Sequence, residues 1–357
     1  MSKKILIFPV GGTICTAADE EGVLSVNAAA PTVLEQHFLA GDSVCADDVS
    51  FCRHPNFELL SENITVQHWN TLVRALRSAI DAERPDGVIV LHGTDSLAYT
   101  AALFSLLFCQ EGMPVIFVSA NAPMYAENSN AHANFGAAVE CICAGLCPNV
   151  YAVYRNPSDG RTYLHLASRL QQIGHYSEDV ISAGQTDLTG LGFAALGETL
   201  QRVAECFPTQ KVTAIRFEGE KPLQPCVLCL QAHIGLDYTA FDLKNYKAVL
   251  HYTYHSGTVC VQPQTDDAAS VTCLLERCGK AGTDVYLSPC RLQGQVYRSL
   301  DTAAKHRVNG RGIIPLYGCT DEMTYIKLLL AYSCFAEREQ IDALLQREWN
   351  FERINRV

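Results

Sequence analysis

Long hydrophobic runs are missing from this chain of 357 residues. No run reaches the roughly 20 apolar residues that a membrane-spanning helix needs. Positive charge is also scarce, since 27 lysines and arginines stand against 38 aspartates and glutamates, for a formal net charge of -11. Phosphate groups and anionic lipid surfaces would repel such a chain. We therefore expect neither a nucleic acid nor a membrane as a partner.

A secretory signal is not expected either. The start Met1–Ile5 has a charged opening at Lys3 and Lys4, but only six apolar residues follow these lysines, and a signal peptide needs a longer apolar stretch. The 16 cysteines lie mostly in apolar runs, where a free thiol packs as a small hydrophobe. Cys226 and Cys229 have the spacing of a redox or zinc motif, but further ligands are lacking. We expect a cytoplasmic protein without metal or organic cofactor.

Apolar runs and helical patterns alternate along the chain, which predicts an α/β fold. The first half predicts a mainly parallel sheet with helices on both faces, and the second half predicts a smaller α/β domain. The pattern weakens around 184–222, where several glycines interrupt it. We expect an N-terminal catalytic domain at 1–205, a linker at 206–221 and the smaller domain at 222–357.

The predicted elements have the following bounds. Strands are predicted at Lys4–Val10, Asp86–His92, Pro114–Ser119, Pro148–Tyr154, Cys226–Leu230, Lys247–Tyr252 and Asp284–Leu287. Helices are predicted at 66–82, Ser96–Glu111, Asn134–Gly145, Asp267–Gly279, Thr324–Cys334 and Ile341–Leu345.

Two predicted strands end in glycine followed by threonine. The first strand leads into Gly12 and Thr13, and the strand at 86–92 leads into Gly93 and Thr94. Glycine lets a ligand approach the backbone closely, because it carries no side chain. Ligands of open α/β sheets bind at the carboxyl ends of the strands. The pattern therefore predicts a site for a small molecule where these two strands end.

Hydroxyl and carboxylate groups follow the glycines. A threonine hydroxyl is a weak nucleophile that a base or a preorganised site can activate. Asp95 offers a carboxylate for a substrate ammonium group, and Ser96 can cap the next helix. Thr13 and Thr94 are therefore candidates for nucleophilic catalysis on a small polar substrate. The alternative is that these side chains only satisfy the backbone of two turns.

Together the two motifs resemble those of the bacterial-type L-asparaginases. The resemblance rests on Gly11–Ile14 and on His92–Ser96. Ser61 fits the substrate-binding serine of that family, and Ser119–Asn121 resembles its next loop. The resemblance covers most of the chain, including the order of strands in the second domain.

The resemblance implies an amidohydrolase that releases ammonia from asparagine and assembles as a homodimer or homotetramer. Thr13 would attack the side-chain amide and form an acyl-enzyme. Thr94 would help to polarise the amide or to position water. Asp95 would hold the α-amino group of the substrate. The expected partner is therefore a small-molecule amide, asparagine or a similar compound.

The resemblance also implies a set of substrate-binding residues. Ser61 would bind the α-carboxylate, and Gly12 and Gly93 would line the same pocket. Glu62 follows Ser61 at a position where the family usually has a neutral polar residue. A carboxylate there would either repel the α-carboxylate or help to hold the amine.

Two family residues have no counterpart. The family has a tyrosine on the loop after the first motif, but Cys15–Val26 contains none, and Val23 takes its place. The family also has a lysine near the second motif, whereas no lysine occurs between Lys4 and Lys211. One alignment puts Gln172 in that place.

The groups best suited to moving protons are thus missing. A shifted alignment would put His165 in the place of the lysine. His92, Glu62 and His165 could compensate, although each has an ordinary structural explanation. Two further interpretations remain open. The chain could bind an amino acid with little or no turnover, or it could be a subunit of an amidotransferase.

Overall fold

The computed structural model describes residues 2–18, 24–215, 221–261, 268–290, 301, 305, 307–310 and 312–354. The chain divides into two compact units. One comprises Met1–Arg216 with Trp349–Phe351, and the other comprises Phe217–Glu348 with Glu352–Val357. The domain limits expected from the sequence, with a linker at 206–221, stay a prediction.

The first unit is built on a seven-stranded sheet. Its elements are β1 Lys3–Pro9, β2 Thr16–Ala18, β3 Leu24–Val26, α1 Ala30–Leu39, β4 Val49–Arg53, α2 Val66–Glu83, β5 Gly87–Leu91, α3 Leu97–Leu107, β6 Val115–Val118, α4 Ala131–Cys143, β7 Val150–Arg155, β8 Thr162–Leu166, β9 Thr186–Asp187 and α5 Phe193–Cys206. The order in the sheet is β4-β1-β5-β6-β7-β8-β9. The strands β4, β1, β5, β6 and β7 are parallel, whereas β8 and β9 are antiparallel. The predicted mainly parallel sheet is confirmed.

Helices cover both faces of this sheet. Ile5 of β1 belongs to a core that includes buried residues of α1, α4 and α5. Phe117 of β6 points to the opposite face, because neighbouring residues of a strand alternate between faces. Its ring lies 5.4 Å from that of Phe104 in α3, measured between centroids. Trp69 of α2 donates a hydrogen bond from Nε1 to Thr100 Oγ1 of α3 over 3.0 Å, so α2 packs beside α3.

The second unit is a smaller α/β structure, as predicted. Its elements are β10 Val227–Gln231, β11 Ala248–Tyr252, α6 Val271–Ala281, β12 Asp284–Ser288, β13 Ile313–Pro315, α7 Asp321–Cys334 and α8 Arg338–Gln346. The four strands are parallel and lie side by side in chain order. Val249 and Val285 of this sheet share a buried core with Leu274 of α6.

The region around 184–222 contains a helix that the sequence pattern does not reveal. Leu196, Leu200 and Val203 of α5 are buried at helical spacing in the core with α4. Gly197 lies inside this helix, and a glycine there costs about 1 kcal/mol relative to alanine. Burial of the apolar stripe offsets that cost, so the glycines do not end the helix. No helix in the described residues is both long and apolar enough to cross a bilayer.

Candidate active site

The two glycine-threonine motifs follow adjacent parallel strands. β1 and β5 pair in a register that sets Ile5 opposite Gly87 and Pro9 opposite Leu91. Beyond the last pair, the Val10 N–H group donates to the Leu91 carbonyl oxygen over 2.9 Å. The segments that follow β1 and β5 therefore leave the sheet at the same edge.

Gly12 and Gly93 are in direct backbone contact. A Cβ atom at Gly12 would lie 2.1 Å from the Gly93 Cα atom, and Gly12 has a φ of +79°. A Cβ atom at Gly11 would lie 2.1 Å from the Leu59 carbonyl oxygen. Only glycine leaves room for these approaches. Thr13 and Thr94, which follow the two touching glycines, are thereby brought to one place.

Thr13 begins a helical turn directly after this contact. The turn Thr13–Cys15 is closed by a hydrogen bond of 2.8 Å from the Cys15 N–H group to the Gly12 carbonyl oxygen. The Thr16 hydroxyl donates to the Thr13 carbonyl oxygen over 2.9 Å. Thr13 is half-buried, so its side chain is reachable while its main chain is fixed.

Ser61 joins the second motif. Its Oγ donates to Asp95 Oδ2 over 3.0 Å and accepts from the Asp95 N–H group over 3.2 Å. A Cβ atom at Gly93 would lie 2.4 Å from Ser61 Oγ, so this glycine also permits the approach of the serine. Ser61 is buried, whereas Asp95 is exposed. The serine therefore holds one carboxylate oxygen of an aspartate that faces solvent.

Ser96 occupies the residue before α3 but does not cap the helix with its side chain. Its hydroxyl donates to the Ser61 carbonyl oxygen over 2.7 Å. Ser96 is therefore the N-cap residue of α3 by position, but the prediction that its hydroxyl caps the helix was wrong. The hydroxyl instead connects the segment of Ser61 to the second motif. This contact joins residues far apart in the sequence, so the local sequence pattern does not reveal it.

Glu62 is exposed and lies in the same short helical turn as Ser61, at Ser61–Asn63. The structure thus brings together Gly12, Thr13, Ser61, Glu62, Gly93, Thr94 and Asp95 around one edge of the sheet, through the chain order and the contacts above. Their roles in catalysis and binding stay predictions.

The two histidines considered as replacements are buried and uncharged. Burial lowers the pKa of His92 to about 4 and that of His165 to about 3. His92 Nδ1 lies 2.7 Å from the Gly93 carbonyl oxygen, which can only accept, so this nitrogen carries the hydrogen. His165 Nδ1 lies 2.9 Å from Ser182 Oγ. Each ring therefore has its Nδ1 atom bound to a neighbour in the interior, whereas its Nε2 atom is buried without a hydrogen-bond partner among the described residues.

Gln172 reaches the second motif. Its Nε2 donates to the Asp95 carbonyl oxygen over 2.5 Å. The alignment that puts Gln172 near this motif agrees with the contact, and the one that uses His165 does not. Val23, which takes the place of the loop tyrosine, lies outside the described residues. Among the described residues, no three histidine, cysteine, aspartate or glutamate side chains cluster as metal ligands would.

The fold and the site define a class of α/β protein in which two strand ends, each with glycine followed by threonine, are in contact. A family model described as "Asparaginase, N-terminal" matches residues 4–188, more than half of the chain. The chain belongs to the asparaginase family. The matched range contains both threonine motifs and Ser61.

Sequence relatives include two kinds of protein. A glutamyl-tRNA(Gln) amidotransferase component from Thermoplasma acidophilum is 26% identical over 257 residues, which span 72% of this chain and 58% of the relative. The L-asparaginase of Bacillus licheniformis is 32% identical over 145 residues, 40% of this chain and 43% of the relative. The chain thus spans about half the length of the curated relatives that it matches.

Solved structures of L-asparaginases share the fold over the whole chain. The thermostable L-asparaginase of Thermococcus kodakarensis matches with a TM-score of 0.69 at 21% identity and covers 99% of this chain and 100% of its own. L-asparaginase I of Vibrio cholerae matches with a TM-score of 0.66 at 20% identity and covers 99% of both chains.

Proposed function

We propose that the chain is an amidohydrolase that releases ammonia from the side-chain amide of asparagine or of a similar small carboxamide. The contact of Gly12 with Gly93 is the observation that carries the proposal, because it brings Thr13 and Thr94 to one edge of one sheet. Family membership and the relatives named L-asparaginase support the same chemistry.

In the proposed reaction the Thr13 hydroxyl attacks the carbon of the side-chain amide. A bond forms between Thr13 Oγ1 and this carbon, and the carbon–nitrogen bond breaks. The nitrogen takes up the hydroxyl proton and leaves as ammonia. Thr94 polarises the amide or orients the water that then cleaves the acyl-enzyme. A covalent intermediate divides one difficult step into two easier ones.

Asp95 and Ser61 hold the amino acid part of the substrate. The Ser61 hydroxyl fixes one oxygen of the exposed Asp95 carboxylate, and a fixed carboxylate at a strand end suits an α-ammonium group. Ser61 also contributes to the site of the α-carboxylate, beside Glu62. Gly12 and Gly93 keep the backbone clear of side chains. No metal or organic cofactor takes part in the proposed reaction, and the active form is a homodimer or homotetramer.

The test is an ammonia-release assay with asparagine, glutamine and short carboxamides. Thr13→Ala should lose at least about a hundredfold in kcat, since the nucleophile is removed. Thr71→Ala is the matched control, because Thr71 is an exposed threonine of α2 whose hydroxyl donates to the Gln67 carbonyl oxygen of the same helix. Turnover of T13A at the wild-type rate would exclude Thr13 as the nucleophile.

A second candidate is supported by the amidotransferase relatives, one of which matches 72% of the chain. In that case the chain would release ammonia for transfer to another substrate within a larger assembly. The isolated chain would then hydrolyse amides poorly and accelerate when the rest of the assembly and its tRNA are added. Rapid hydrolysis of free asparagine by the isolated chain argues for the first candidate. Calorimetric binding of asparagine without ammonia release would instead indicate a binding protein.

A further inference from the structure

A chain of hydrogen bonds connects Tyr125 to the first threonine motif. β2 and β3 pair in an antiparallel hairpin that sets Thr16 opposite Val26. One residue further, the Asn27 N–H group donates to the Cys15 carbonyl oxygen over 2.7 Å. The hairpin therefore returns the chain to the turn that contains Thr13. Asn27 Nδ2 in turn donates to the Tyr125 hydroxyl oxygen over 3.4 Å.

The orientation of Asn27 is fixed by its side-chain oxygen. Asn27 Oδ1 accepts a hydrogen bond of 2.9 Å from the Ala29 N–H group at the start of α1. This bond leaves the Nδ2 group to point towards Tyr125. Because Asn27 donates to the phenol oxygen, the phenol hydrogen is available to a further acceptor.

The loop that carries Tyr125 is held in shape at its base. It follows β6, the neighbour of β5, and so leaves the sheet at the same edge as both threonine motifs. The Asn121 N–H group donates to Asn130 Oδ1 over 2.9 Å, and the Asn130 N–H group donates back to Asn121 Oδ1 over 3.0 Å. Tyr125 lies between Asn121 and Asn130 in the sequence, and its exposed fraction is 57%. A closed loop base thus presents a solvent-accessible phenol at this edge.

Two other polar side chains of this edge, those of His92 and Asp95, each have a hydrogen-bond partner. His92 points its Nδ1 to the Gly93 carbonyl oxygen, and its ring packs against Phe117 in the interior. Asp95 accepts from Ser61 and, in the proposed function, from the substrate amine. Thr13 still needs a group that relays its proton to the leaving nitrogen, because ammonia departs only as the neutral molecule.

From this geometry we infer that the Tyr125 hydroxyl relays the proton of Thr13, an inference that rests on the proposed function. As the bond between Thr13 Oγ1 and the amide carbon forms, the threonine proton passes to Tyr125 Oη. The phenol proton passes to the amide nitrogen as the carbon–nitrogen bond breaks. Ammonia leaves, and the phenol ends with one proton, as it began. Asn27 is a positioning residue that keeps the phenol at the turn of Thr13.

Two substrates that differ in the leaving group test the relay. Tyr125→Phe should lose about a hundredfold in kcat on asparagine, the scale of general acid–base catalysis, with KM changed less than about threefold. On the β-p-nitrophenyl ester of aspartate the loss should stay below about tenfold, because nitrophenolate leaves without a proton and water at this exposed place takes up the proton of Thr13. Tyr176→Phe is the matched control, since Tyr176 is a fully exposed tyrosine of the same unit.

The outcomes separate this inference from the proposed function. Loss on the amide with near-retention on the ester supports the relay by Tyr125. An equal loss on both substrates, or full amide turnover by Y125F while T13A is inactive, overturns the relay and leaves the amidohydrolase proposal standing. Absence of ammonia release by the wild-type protein from every amide overturns both.

Discussion

The Gly93 Cα atom lies 2.1 Å from the position that a Cβ atom would take at Gly12. No side chain fits between the two strand ends, so the backbones touch and the residues that follow them are held together. The contact joins residues that are far apart in the sequence. It depends on the parallel pairing of β1 with β5, which brings both strand ends to one edge. Pairing of these two strands in the sheet therefore also assembles the site.

Replacing Gly12 by alanine should break this contact. The new methyl group would meet backbone atoms that cannot move aside, and the residue would also hold a φ of +79°. We expect Gly12→Ala to lower the free energy of unfolding by about 2–5 kcal/mol, from the left-handed conformation and the overpacking together. Ammonia release should fall with it. Denaturant unfolding followed by the ammonia assay measures both effects.

Gly190→Ala is the control for the backbone conformation alone. Gly190 has a φ of +66°, and a Cβ atom there would meet nothing within 4 Å. The substitution should lower the free energy of unfolding by about 1–2 kcal/mol and leave the activity unchanged. If G12A costs no more than G190A, the two strand ends can separate without strain, and the contact does not define the site.

The strand ends could be predicted from the sequence because the signals are local. An apolar run followed by glycine and a hydroxyl side chain marks the end of a buried strand, and β1 and β5 end within one residue of the predictions at Val10 and His92. The contact of Gly12 with Gly93 could not be predicted in this way. It depends on which strands become neighbours, and nothing in either motif encodes its partner.

The polar contacts around the site show the same limit. Ser96 has the local pattern of a capping residue, yet its hydroxyl bonds the Ser61 carbonyl oxygen. Asn27 and Tyr125 lie in separate loops that carry no shared motif, and only the hairpin and the sheet order bring them together. Tertiary hydrogen bonds therefore reassign side chains whose local environment predicts another role.

Asp95 should anchor the α-amino group of the substrate. A charge-assisted hydrogen bond of this kind contributes roughly 1.5–3 kcal/mol. Asp95→Asn keeps an oxygen that can accept from Ser61 but removes the charge, so kcat/KM on asparagine should fall about ten- to a hundredfold. Kinetics on an analogue without the α-amino group completes the test. The matched control is Asp81→Asn on the exposed side of α2.

The comparison of the two substrates decides the role of Asp95. For the analogue without the amine, kcat/KM should be almost the same in D95N and in the wild-type protein, because this substrate has no ammonium group for residue 95 to bind. An equal loss on asparagine and on the analogue would mean that Asp95 supports the loop or the threonines rather than the amine.

Glu62 should weaken the binding of substrates with a free α-carboxylate. Its side chain is exposed in the same helical turn as Ser61, so the repulsion is screened by solvent and amounts to about 0.2–1 kcal/mol. Glu62→Gln should therefore lower KM for free asparagine about 1.4- to fivefold, and the gain should shrink at high salt. An amide with a blocked carboxylate should show no gain. A higher KM in E62Q would mean that Glu62 helps to hold the amine.

Three buried histidines should make the fold sensitive to acid. Burial lowers the pKa of His92 to about 4, of His165 to about 3 and of His251 to about 4. Because the unfolded chain binds these protons near the ordinary histidine pKa of 6.5, it gains protons first as the pH falls. Stability is then full above that value and falls progressively towards the folded pKa values. From pH 7 to pH 5 we expect a loss of about 2 kcal/mol for each histidine.

Removing one of these histidines should flatten the pH dependence rather than simply lower the stability. His165→Asn keeps a polar partner for Ser182 but has no titrating ring, so the slope of unfolding free energy against pH between 6 and 4 should fall by about 1.4 kcal/mol per pH unit. The control is His233→Asn, which makes the same substitution at an exposed histidine. Denaturant unfolding at several pH values measures the slopes directly. If H165N and the wild-type protein lose stability in parallel, His165 takes up its proton in the folded state, and the buried ring is not the source of the acid sensitivity.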